Sequence, residues 1–193
     1  MYIIPTVPEP SREHLAQAIS EARSRALDQL TSFGLERPIL LMRTPGGTRL
    51  LTLHHQGNER QAASLARLIR VVCVARAATC IVMAFQGTAE LVPADGVASS
   101  GIVTPKVCLL LFGEVIGGEY LRRAMPILAL GKGEAPEVGE MVSCRPCAAS
   151  RVFTGLLRHA SPSDKDRFVA VSALERLGGA HLLANPGLDA ERS

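Results

Sequence analysis

Apolar residues recur along this chain with two distinct periods, and the switches between them mark its elements. From Leu15 to Phe33 the apolar positions Leu15, Ile19, Ala22, Ala26, Leu30 and Phe33 are three or four residues apart. That spacing predicts an amphipathic helix with one buried stripe, capped by Ser11 and closed by Gly34. The runs Pro38–Thr44 and Thr48–Gln56 are apolar or alternating, and they are joined by Pro45-Gly46-Gly47. Proline fixes φ and glycine tolerates positive φ, so this segment predicts a β-hairpin. Asn58 and Gln61 resemble a capping box, after which Leu65, Leu68, Ile69, Val72 and Cys73 share one helical stripe with Arg67 and Arg70 turned away. A second helix covering the hairpin is expected.

The period then changes to that of a strand. Thr79–Phe85 is apolar with β-branched residues and continues past Gly87 to Leu91-Val92. Pro93-Ala94-Asp95-Gly96 and the small residues up to Gly101 predict a mobile surface loop. Lys106–Val115 is apolar on both faces, the pattern of a central strand under a helix. Gly117-Gly118 permits a reversal into Tyr120–Leu130, where Pro126 lacks an N–H and favours a sheet edge. A three-strand meander follows. Residues 131 to 142, rich in glycine and proline, predict a connection. Ala149, Val152, Phe153, Leu156, Leu157 and Ala160 form a helical stripe, and Ser161-Pro162 starts another helix through Phe168, Val171, Leu174 and Leu177.

The expected fold class is therefore α+β, a mainly antiparallel sheet of about five strands (a hairpin plus a three-strand meander) packed by helices, with a C-terminal helical pair. The expected organisation is an α+β core over residues 1–142, a helical extension over 143–180 and a flexible tail over 181–193. The longest apolar block, Leu65–Phe85, is interrupted by Arg67, Arg70 and Arg76, which excludes it as a membrane span. At 47% hydrophobic residues the 193-residue chain can fill a core, but with two Tyr, five Phe and no Trp that core must be aliphatic.

Charge narrows the partner classes. The net charge is +3, and residues 35–86, with seven arginines against two acidic residues, form the basic stretch. Its arginines are scattered and Phe85 is the aromatic they have for stacking, so nucleic acid is not the expected partner. Met1–Pro10 contains prolines at 5, 8 and 10 and no basic region leading into an apolar one, so a signal peptide is not expected. Five cysteines, an odd number, fit reduced thiols and a cytoplasmic location.

Candidate chemistry is sparse. Cys144 and Cys147 in Cys144-Arg145-Pro146-Cys147 have disulfide or metal-ligand spacing, and a following helix together with Arg145 would stabilise a thiolate. A strand feeding the motif, as in thioredoxin-like redox sites, is not expected, and no second Cys pair supplies the four ligands of zinc. His159 and His181 could complete a set only at irregular spacing. His54 and His55 point to opposite faces of a strand and cannot chelate one ion. The carboxylates Glu90, Asp95, Glu114 and Glu119 are candidate partners for a histidine base. The glycine pairs join strand to strand, unlike a phosphate cradle, and neither Gly-x-Ser-x-Gly nor His-Glu-x-x-His occurs. No catalytic residue and no cofactor is assigned. The expectation is a non-enzymatic module that binds another protein or a second copy of itself along the edge strand Tyr120–Leu130, with thiol-redox or zinc chemistry at Cys144 and Cys147 as the alternative.

Overall fold

The computed structural model describes residues 12–31, 34–53, 59–92, 105–117, 119–129, 136–145, 153–157 and 162–176. Over these residues the chain is α+β, with three helices and a seven-stranded antiparallel sheet. The order is α1 (Arg12–Gln29), β1 (Ile39–Thr44), β2 (Gly47–Thr52), α2 (Glu59–Ala75), β3 (Cys80–Ala89), β4 (Lys106–Val115), β5 (Tyr120–Ala129), β6 (Glu137–Val138), β7 (Val142–Ser143) and α3 (Asp164–Arg176). In space the strands run β2-β1-β3-β4-β5-β6, with β7 also pairing β5.

Side-chain alternation along the strands divides the interior into two layers. Ile39, Leu41, Val82, Ala84, Leu109 and Leu111 face α1, which buries Leu15, Ile19, Ala22, Ala26 and Leu30 against them. Leu40, Met42, Ile81, Met83, Leu110 and Phe112 face the opposite way, under Leu65, Ile69, Val72 and Cys73 of α2. β4 is thus central and covered on both faces, as its uninterrupted apolar run requires. α1 crosses β4 closely: a Cβ on Gly113 would lie 2.7 Å from Leu15 Cδ1. Glycine is needed there for space. α1 ends at Gln29, short of the Gly34 expected to close it; at Gly34 a φ of 93° suits a residue without Cβ, and the missing Cβ lets the side chain of Gln86 approach to accept the Leu35 N–H at 2.9 Å.

Three expectations are corrected. The sheet has seven strands, because residues 131 to 142, read as a bare connection, contribute β6 and the first residue of β7. Both pair with β5, which therefore is not an open edge. Pro126 still obeys its chemistry: its carbonyl accepts Gly139 N–H on the outer side at 2.8 Å, so its missing N–H also falls outside the β4 ladder. Among the described residues the edges are β2, six residues long, and the two-residue β6.

The third correction concerns the C-terminal helices. The second is present as α3, although Phe168 is 73% exposed and the buried positions are Ala170 and Leu174. Of the first, the described residues 153–157 form bends and a turn instead of a helix, with Gly155 at φ 72°. Phe153, Leu156 and Leu157 are buried as their pattern demanded. Phe153 joins Phe85 at 5.8 Å between ring centroids, and Phe85 meets Phe112 edge-on at 5.0 Å. The predicted loop at 93–101 and tail at 181–193 lie outside the described residues.

A buried carboxylate and an apolar cavity between α2 and α3

Glu114 is the charged residue buried deepest among those described, at 4% exposure. It sits on β4 on the α2 side of the sheet, where alternation points its side chain at the turn 153–157. Leu156 N–H donates to Glu114 Oε2 at 2.8 Å and Leu157 N–H donates to Oε1 at 2.9 Å. The left-handed Gly155 turns these two consecutive N–H groups to one side, forming a small anion-holding nest. A buried carboxylate away from such donors would be strongly disfavoured. Here both oxygens are bonded, so Glu114 is a structural clasp between sheet and turn.

Beside this clasp α2 and α3 flank a half-open cavity of about 560 Å³. Its inner surface is apolar, formed by Val74, Ile116, Leu156, Val169, Ala170 and Ala173 among others. Arg70 and Lys165, both exposed, line its mouth. Asp166 also lines it, but that carboxylate accepts Ser163 N–H at 3.1 Å and Ser163 Oγ–H at 2.6 Å, while Asp166 N–H donates to Ser163 Oγ at 3.2 Å. This reciprocal capping box starts α3. The bonds from Ser163 hold the Asp166 carboxyl below its ordinary value.

Cys73 lies at the cavity base. Burial, with a smaller contribution from the nearby Glu114 charge, pushes its thiol up to about 12. Burial likewise pushes Cys80 up to about 11, and raises Cys108. Such thiols are poor nucleophiles because the thiolate is the reactive form.

Of the candidate residues named from sequence, the described ones, Cys144, Glu90, Glu114 and Glu119, do not line this cavity. Cys144 is buried in the core on the α2 side of the sheet, and its backbone bridges Leu91. Arg145, expected to stabilise a thiolate, instead pairs with Glu90 at 3.2 Å on the surface. Arg123 Nη1 donates to Ser143 Oγ and helps hold this segment on β5. Cys147, His54, His55, His159, His181 and Asp95 lie outside the described residues. Among the described residues no three His, Cys, Asp or Glu side chains gather in a metal-binding arrangement, and no helix is long and apolar enough to cross a membrane. Sequence reasoning named Glu114 only as a possible partner of a histidine, although a single charge inside the apolar run 107–115 signals a bonded buried group. The cavity had no sequence signal, since its walls come from segments about ninety residues apart. Comparison with protein-family models, with curated proteins and with solved structures gives no match to this chain.

Proposed function

We propose that this chain is a non-enzymatic, cytoplasmic protein-binding module that pairs with a second copy of itself through β2. The observation that carries this reading is the asymmetry of the sheet: β5 carries β6 and β7 on its outer side, whereas β2 has no strand on its outer side among the described residues. In the hairpin register Leu53 N–H donates to Pro38 O, so odd-numbered residues of β2 bond inward to β1. Thr48, Leu50 and Thr52 consequently turn their N–H and C=O groups outward. No proline or lysine guards this edge.

The strand is also complementary to itself. Antiparallel pairing about Leu50 sets Thr48 against Thr52 of the partner subunit, Leu50 against its own copy, and Arg49 against Leu51 of the partner subunit. No arginine then lies directly opposite an arginine. Leu50, at 36% exposure, would be partly covered by the copy of itself across the pairing. Support for the absence of catalysis comes from Glu114, committed to two backbone amides, and from Cys73 and Cys80, whose thiols burial keeps protonated.

Light scattering coupled to size exclusion, run as a dilution series, tests the proposal. The average mass should rise above the monomer value of 20.5 kDa as concentration increases. Leu50→Lys should return it to the monomer, and Leu128→Lys on β5 should leave the association unchanged. A monomer mass at every concentration, or equal sensitivity to both substitutions, rejects pairing through β2.

A further inference from the structure

We propose that the cavity between α2 and α3 is a binding site for a small amphipathic carboxylate, with the apolar body against Val74, Leu156, Val169 and Ala173 and the carboxylate at Arg70 and Lys165. This site is separate from the β2 edge and does not depend on it. At about 560 Å³ the cavity falls within the range of about 300 to 1,000 Å³ typical of small-molecule sites. Its walls are aliphatic, which selects an apolar body and offers no partner to a polar one.

Charge at the mouth decides the head group. Arg70 and Lys165 are exposed and neither forms an ion pair with a carboxylate among the described residues. Arg70 Nη2 reaches Gly155 O at 3.5 Å, a single long bond from a side chain with five N–H donors. Asp166, the acidic group of the lining, is turned to the Ser163 cap. The lining therefore carries two cations against the one Ser163-capped carboxylate of Asp166, whose charge also acts on Lys165; the balance is positive, and an anion held by charge-assisted bonds is the complementary ligand. The adjoining exposed side chain of Val169 extends the apolar wall outward, so a ligand with a tail and one anionic end fits better than a compact anion.

Titration of the full-length, isotope-labelled chain with octanoate, 1-octanol and acetate, followed by amide chemical shifts, tests the assignment. Octanoate should saturate, with the largest shifts at Val74, Leu156, Val169 and Ala173. Octanol should bind about tenfold more weakly, and acetate should not saturate. Combined Arg70→Gln and Lys165→Gln substitutions, both at exposed positions, should weaken octanoate about tenfold and leave octanol unchanged. Ala173→Phe should fill the cavity and block both. Octanol binding as tightly as octanoate would give the cavity to an uncharged apolar group, such as a partner's side chain, and overturn the proposal. So would shifts located elsewhere, or no saturation by octanoate up to its solubility limit.

Discussion

Replacing Glu114 by glutamine changes one oxygen into an NH2 group and little else in shape. The carboxylate accepts from Leu156 N–H and Leu157 N–H at 2.8 and 2.9 Å, so glutamine can satisfy one amide and must point a donor at the other. With Glu114 at 4% exposure, water does not readily replace the lost acceptor. A hydrogen bond to a charged group contributes about 1.5 to 3 kcal/mol net, and stranding a buried N–H costs about 1 to 3 kcal/mol. Relief from burying a charge offsets part of this loss. The expected net destabilisation is about 2 kcal/mol, which for a chain of this size lowers Tm by roughly 4 to 8 °C. Urea unfolding should show a lower midpoint at unchanged slope, and the amides of Leu156 and Leu157 should exchange with solvent faster than those of β3 and β4. A Glu114→Gln protein within about 0.5 kcal/mol of the parent, with both amides still protected, would refute the clasp.

Further outcomes follow from the same geometry. Gly113→Val should destabilise by about 1 to 3 kcal/mol, read by urea unfolding, because the new side chain meets Leu15 Cδ1 where a Cβ alone would stand 2.7 Å away. Cys73 and Cys80, with thiols raised to about 12 and about 11, should resist iodoacetamide at neutral pH in the folded protein and react on unfolding, as peptide mass mapping would show. Asp166 has a folded value below its unfolded one, so its support of α3 is present above the ordinary carboxylate range and is lost as pH falls through the lowered value. In Ser163→Ala the Asp166 titration midpoint, followed by carboxyl carbon NMR, should move upward.

The elements with a single strong period were legible from sequence. α1, α2 and β1 to β5 lie where periodicity placed them, because each buries one continuous stripe or alternating face and the interior is aliphatic enough to enforce it. β6 and β7 were not legible: two residues each give no period, and they exist because β5 offers them a ladder. At 153–157 helical spacing correctly marked the buried residues and misread the backbone. Gly155 adopts a left-handed conformation there, and Glu114, about forty residues away in sequence, supplies the acceptor a helical carbonyl would have given. Phe168 was read as core because it lies at helical spacing from Val171 and Leu174, but the helix buries Ala170 and Leu174 and leaves Phe168 in water. The cavity was not legible for a related reason, since spacing along the chain carries no information about which walls meet around a hollow.

The unequal ends of the sheet limit how far association can go. A sheet open at both ends can recruit copies indefinitely and grow into a fibre. Here β6 and β7 already occupy the outer side of β5, so joining two chains through β2 uses up the growth point of each. Pairing through β2 alone would then stop at a closed pair, because the two-residue β6 at the other edge offers little ladder for a further strand.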